Sequence, residues 1–278
     1  MKHICYPCCG VPSCIKMLLH SIESLAKHNK DITIHLLNSN KIYKEVNGVT
    51  VHEEMEFSNE IIQKIKNILI DNDIHTNLYV YDVTDCMDIF YDLIPLHNQF
   101  NAYKRLLLPK LFNKHHPDVN ILLYLDEDTL IDGDISKYYI DFKNTNFIGS
   151  YDILNTTHIK DIQYYDFKGN YINSGVLLVN LEKEIYDTLP VKINLSSIYY
   201  NILHRYDILH DQFIINMYNH VMIVTHGNIK FNHLYVAYFV VLKTFGENFN
   251  IYHYHQHKLV PFRGFSKHDE LIDSILSK

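Results

Sequence analysis

A chain of 278 residues, 47% apolar and 21% charged, has the composition of an ordinary globular protein and is long enough for one large α/β core or two small ones. Its 25 Lys and Arg against 32 Asp and Glu give a net charge of −7, which excludes generic attraction to nucleic acid and calls for local cations or a metal wherever a polyanion is bound. The longest apolar stretch, YVAYFVVL at 235–242, falls far short of the roughly 20 residues of a membrane span.

The N-terminus shows no apolar run of signal-peptide length, and the cysteine count of 5 is odd. The expectation is therefore a cytoplasmic protein with free thiols, in which the sequons at Asn155 and Asn194 go unused. Abundant Ile, Asn, Lys and Tyr with sparse Gly point to an AT-rich genome, viral or parasitic, and carry no functional information.

In chain order, HICY at 3–6 reads as a short buried strand that runs into the cysteine-rich CYPCCGVPSC of 5–14. IKMLLHSIESLAKH (15–28) then places Ile15, Leu18, Leu19, Ile22 and Leu25 at helical spacing. DITIHLLN (31–38) is a second strand. SNEIIQKIKNILI (58–70) is an amphipathic helix with Ser58 as N-cap, closed by the polar Asp71-Asn72-Asp73. NLYVYDV (77–83) is a third strand, and AYKRLLLPKLF (102–112) predicts a helix leading to the apolar strand NILLYL (120–125). Asp132-Gly133-Asp134 has turn chemistry. Beyond residue 140 the pattern is mixed: NFIGSYDI, YINSGVLLVNL, then a helix near HDQFIINMYNHV. Strands alternating with helices imply an α/β fold with a mostly parallel sheet flanked by helices. No linker, repeat or low-complexity segment divides the chain, so one domain over 1–278 is expected, with 263–278 as a C-terminal tail.

Asp126-Glu127-Asp128 directly follows NILLYL. In open α/β sheets ligand crevices lie outside the carboxyl ends of strands, and three adjacent acids repel one another unless a cation is bound. A hard divalent metal, Mg²⁺ or Mn²⁺, takes carboxylate oxygens and completes its shell with ligand phosphates. Alternate positions of an extended segment share a face, so Asp126 and Asp128 address one metal while Glu127 points elsewhere. An acidic loop that merely caps the next element is the other reading, and on position alone the two are even. Two more alternatives concern the cysteines. CYPC between a strand and a helix has the placement of a thiol-redox C-x-x-C. A zinc site is the weaker idea, because Cys5, Cys8, Cys9 and Cys14 lack a spaced second pair of ligands.

AYKRLLLPKLF, NILLYLDEDTLIDGDI, YINSGVLLVNL and HDQFIINM, in that order, resemble the family-eight retaining glycosyltransferases, the group containing glycogenin and bacterial lipooligosaccharide galactosyltransferases. The likeness covers much of 1–30 and most of 100–262, and little of 40–99. It implies a GT-A fold, a UDP-sugar donor, Mn²⁺ (or Mg²⁺), and transfer of a hexose or N-acetylhexosamine with retention to a hydroxyl of a glycan or protein acceptor. A homodimer is compatible with it. Carried over by residue, the resemblance assigns Asp126, Glu127 and Asp128 to the donor–metal pocket, with Asp126 and Asp128 as metal acids. In IYHYHQHKLVPF it assigns His253 as third ligand, with His255 and His257 as alternatives, and Lys258 as a phosphate contact. Arg105 matches a donor-contacting arginine, and Asn173, Ser174 and Gly175 match an N-x-G segment that reads sugar hydroxyls. Asp211 and Gln212 match a D-Q pair at the sugar end of the pocket, and Asp152 is a further sugar contact. Pro7, Cys8 and Cys9 fall in the nucleotide-base loop, where backbone amides around Cys8, Cys9 and Gly10 replace the family's acid. Gln212 lies beneath the anomeric carbon; a neutral amide is a poor nucleophile, so the resemblance favours a front-face reaction. A degenerate relative that binds nucleotide or glycan without transfer is the alternative.

Overall fold

The computed structural model describes residues 1–39, 57–75, 77–90, 100–139, 147–151 and 172–181, together with Ile215, 237–238 and 251–253. Strand β1 (Lys2–Pro7) is fully buried from Ile4 onward. Helix α1 (Pro12–His28) starts three residues before its apolar spacing indicates, because Pro12 sits in the first turn, where its fixed φ suits a helix and its missing N–H costs nothing. Strand β2 (Ile32–Asn38) is buried along its whole length. The Ser58 hydroxyl caps helix α2 (Asn59–Asp71) by accepting from the Ile61 amide. Asn72 and Asp73 close that helix, Asp73 in the left-handed region at φ 58°. Strand β3 (Leu78–Asp82) follows.

The helix expected over 102–112 divides in two. Phe100–Leu107 is a 3₁₀ turn, and helix α3 (Leu108–His115) begins only where Pro109 can occupy the first turn. The proline ring would clash with the carbonyl of Arg105 in a continuous α-helix, so the chain winds tighter before it.

Strands β4 (Ile121–Leu125), β5 (Thr129–Ile131), β6 (Phe147–Tyr151), β7 (Ile172–Asn180), β8 (Ala237–Tyr238) and β9 (Ile251–His253) complete the described elements. The main sheet has the order β3-β2-β1-β4-β7-β6. Its first four strands are parallel; β7 runs antiparallel to β4 and to β6. A second, small sheet has the order β5-β9-β8. The core fills the space between the main sheet and the two long helices, with Ile4, Ile34, Leu123 and Leu178 meeting Leu18, Ile22 and Ile65. Of the helix expected near HDQFIINMYNHV, Ile215 alone is described, and it is helical. Asp134 accepts from the Ser136 amide at 2.8 Å, the turn expected of Asp132-Gly133-Asp134. Among the described residues no helix is long and apolar enough to cross a membrane.

What positions a site is the β1–β4 register, in which Cys5 pairs Tyr124. Both strands are parallel, so the cysteine loop after β1 and the acidic triplet after β4 leave the sheet side by side at its carboxyl edge.

Candidate active site

The Asp126 amide donates to the Gly175 carbonyl at 2.7 Å, which carries the β4–β7 ladder one residue beyond Leu125. The Asp126 carboxylate is held at Oδ1 by Arg105 Nη2 and by the Tyr124 hydroxyl, each at 2.9 Å. Arg105 comes from the 3₁₀ turn, is 4% exposed, and lies over the Tyr124 ring with its Cζ 4.8 Å from the centroid. It also donates through Nη1 to the Ser174 carbonyl and through Nε to the Ala102 carbonyl. Burial pushes the Tyr124 phenol well above its ordinary value, so it stays a donor to Asp126. In β7 the Asn173 side chain turns back on its own strand, its Oδ1 accepting from the Gly175 amide at 2.8 Å. Arg105, Asp126, Asn173, Ser174 and Gly175 thus form one connected group.

Glu127 takes a different direction. It is 6% exposed, accepts from Asn101 Nδ2 at 3.3 Å, and interacts with the Cys14 thiol at the start of α1. Burial first, then the flanking Asp126 and Asp128 charges, hold its carboxyl well above the usual carboxylate range. Asp128 is also buried, at 7%. Behind the acids, Thr129 Oγ1 donates to the Asp126 carbonyl and pairs with Ser21 Oγ, which donates to the Tyr6 hydroxyl. This buried hydroxyl chain ties the triplet to α1 and β1.

In the cysteine loop the Cys8 amide donates to the Leu37 carbonyl at 2.8 Å, continuing the β1–β2 ladder. Its carbonyl accepts from Lys104 Nζ at 2.6 Å. Both backbone groups of Cys8 are therefore engaged within the protein. All five cysteines are free thiols, and Cys5, Cys8, Cys9 and Cys14 are buried. Burial pushes the Cys5 and Cys8 thiols up, and the Cys14 thiol is raised first by its hydrogen bond with Cys9 and then by burial. A C-x-x-C exchange centre needs the opposite, a thiolate within reach of solvent.

Strand β9 brings in a remote segment. Its antiparallel register pairs Thr129 with His253 and Ile131 with Ile251, so His253 stands opposite the residue after Asp128. Among the described residues no three His, Cys, Asp or Glu side chains form a metal-holding group. The donor chemistry nevertheless suits a hard divalent cation, with two aspartates at a sheet edge and a histidine position delivered beside them. Asp152 follows directly on β6, and Asp152, Asp211, Gln212, His255, His257 and Lys258 lie outside the described residues.

Sequence reading passed over Asn101 and Lys104. The 3₁₀ winding begins at Phe100, ahead of the helix expected from 102, so it takes Asn101 into the same element as Lys104, one turn apart.

A parallel run of strands that reverses after the acid-bearing β4, with those acids at the carboxyl edge, is the architecture of the GT-A glycosyltransferases. Residues 13–258 match the glycosyl transferase family 8, and the chain belongs to that family. No curated protein sequence matches it. Among solved structures it is similar to the galactosyltransferase LgtC in complex with donor and acceptor sugar analogs (16% identity, TM-score 0.63, 99% of this chain and 95% of that one). An active-site mutant of LgtC, with glutamate in place of a glutamine, gives 14% identity and TM-score 0.64 over 99% and 95% of the two chains. Mouse xyloside xylosyltransferase 1 in its apo form gives 11% identity and TM-score 0.61 over 94% and 99%.

Proposed function

We propose that this chain, as one GT-A domain over 1–278, moves a hexose or N-acetylhexosamine from a UDP-sugar to a hydroxyl of a glycan or protein, with a divalent metal and with retention of configuration. The observation that carries this is the meeting of Asp126, Asp128 and the His253 strand position at the sheet edge beside the cysteine loop. Membership of the family supports glycosyl transfer. The five free thiols support a reducing compartment such as the cytosol.

Asp126, Asp128 and His253 would hold Mn²⁺ or Mg²⁺. When bound, the metal supplies Lewis-acid stabilisation of charge on the departing diphosphate. Arg105 orients Asp126 for this duty, since its guanidinium and the Tyr124 hydroxyl fix one carboxylate oxygen. Lys258 adds a charge-assisted contact to the leaving phosphate. The cysteine loop receives the base through the Cys9 and Gly10 backbone. The Asn173 side-chain amide, Asp152 and Asp211 address sugar hydroxyls, and Gly175, with no side chain, permits close approach. Gln212 sits beneath the anomeric carbon, and the LgtC mutant that exchanges an active-site glutamine supports looking there. A neutral amide makes a poor nucleophile, so the acceptor hydroxyl attacks on the face the diphosphate leaves and passes its proton to the leaving phosphate oxygen.

The test is release of UDP from a panel of UDP-sugars with Mn²⁺ and candidate acceptors. Turnover is expected to vanish with chelator and in Asp126→Asn and Asp128→Asn; full activity of both variants in chelator would overturn the assignment. A second reading, binding of nucleotide or glycan without transfer, draws on the arginine bound to Asp126 and on the Pro-Cys-Gly loop. Tight UDP binding with no UDP release from any donor would favour it.

A further inference from the structure

We propose that Lys104 is a positioning residue that presets the nucleotide-base loop, Pro7–Val11, through the Cys8 carbonyl; this rests on the nucleotide reading above. Lys104 is 0% exposed. Taking an ammonium out of water costs several kcal/mol unless it is compensated, so a fully buried lysine is kept for what it holds. Among the described residues its one hydrogen bond is to the Cys8 carbonyl, at 2.6 Å.

That bond falls at a decisive point. The Cys8 amide is already fixed to Leu37, and the Val11 carbonyl accepts from the Ile15 amide at 3.0 Å as α1 begins. With Lys104 on the Cys8 carbonyl and Cys9 hydrogen-bonded to Cys14 of α1, the loop is tied at successive residues before the helix begins. No side chain from Pro7 to Val11 is a carboxylate or an amide, so the loop meets a base through its backbone. Backbone recognition depends on the loop being shaped before the ligand arrives, because ordering it on binding subtracts from affinity.

The same 3₁₀ turn braces the neighbouring pieces. Asn101, one turn earlier on the Lys104 face, holds Glu127, and Arg105 holds Asp126 and Ser174. Lys104 is the member of this brace directed at the base loop, so its loss is read at the base end of the ligand and not at the phosphate end.

Calorimetric titration of UDP and of inorganic pyrophosphate, each with Mn²⁺, into wild type, Lys104→Met and Lys104→Gln tests this. Lys104→Met is expected to weaken UDP about tenfold, as loss of a charge-assisted hydrogen bond would, and to leave pyrophosphate unchanged. Amide exchange at Cys9 and Gly10 should quicken while that of β2 stays the same. Lys104→Gln keeps an N–H donor and should fall between, and it replaces Lys104→Met if that variant does not fold. Unchanged UDP affinity in a folded variant, whatever its melting temperature, or equal weakening of UDP and pyrophosphate, overturns the proposal. Wild type that binds neither UDP nor a UDP-sugar overturns the nucleotide reading itself, and this inference with it.

Discussion

Arg105 and Asp126 form a partly buried ion pair at 2.9 Å, their side chains 4% and 20% exposed, on the very residue that begins the acidic triplet. Arg105 also donates to the Ser174 carbonyl and lies over Tyr124, so one guanidinium joins the 3₁₀ turn, β4 and β7. Removing the arginine leaves a partly buried carboxylate that keeps the Tyr124 hydroxyl, at a cost of roughly 1–3 kcal/mol. Arg105→Ala should lose stability of that order in urea unfolding. Arg105→Lys should recover only part, since a lysine carries the charge without the fork that reaches two acceptors. A loss below about 1 kcal/mol in Arg105→Ala would mean the pair is not integral to the fold.

The pairing of β9 with β5 puts the His253 position beside the acidic triplet, while His255 and His257 lie outside the described residues. His253 stands opposite Thr129, next to Asp128, and the sequence alone leaves His255 and His257 in play. In Mn²⁺ titrations of activity, His253→Ala should raise the metal concentration for half-maximal rate at least ~10-fold, on the order of what loss of a metal-site partner brings. His255→Ala and His257→Ala should leave it near wild type. The reverse pattern would move the ligand along the segment.

The sequence made most strands and helices legible, because buried parallel strands and amphipathic helices write their periods directly into residues such as Ile15, Leu18, Ile22 and Leu25. Two features of the site were out of its reach. The 3₁₀ winding before Pro109 begins at Phe100 and so takes in Asn101, which lies ahead of the helix expected from 102. The β5–β9 pairing joins residues more than a hundred positions apart, a contact set by topology and not by any local pattern. The acidic triplet itself was legible from its place after an apolar strand. What its members bind was not: Glu127 faces Asn101 and Cys14, and Asp126 faces Arg105.

A histidine chain across β1, β2 and β3 predicts an acid-sensitive stability. His3 Nδ1 lies 3.0 Å from His35 Nε2, His35 Nδ1 lies 2.9 Å from the Tyr81 hydroxyl, and that hydroxyl meets His116. Burial, then the neighbouring His3 and His116, push His35 down to about 2. Its folded value is below its unfolded one, so below pH 6.5 the unfolded chain takes up a proton that the folded chain refuses. Stability is therefore intact above that pH and declines as pH falls from about 6.5 towards 2, by about 1.4 kcal/mol per unit for one proton. His35 alone should cost about 2 kcal/mol between pH 7 and pH 5 in urea unfolding. His3 and His116, both lowered first by burial, add to the slope. His35→Phe keeps the stacking on Tyr79 and Tyr81 and should make the slope shallower by about one proton. An identical slope would assign the acid sensitivity elsewhere.

The cysteines should behave as packing residues. Cys5, Cys8, Cys9 and Cys14 are buried, while Cys86 is half-buried in the turn after β3. Reaction with a thiol reagent needs both access and thiolate, and burial withholds both from Cys5 and Cys8. In native protein a chromogenic disulfide should therefore modify Cys86 first. The remaining four should follow only through opening of the sheet edge or of the whole molecule, roughly 10³-fold slower or more. Counting released thiolate against time, in buffer and then in denaturant, should give one equivalent before denaturation and five after. Rapid native modification of Cys5 and Cys8 together, with a disulfide closing between them, would restore the redox reading of CYPC.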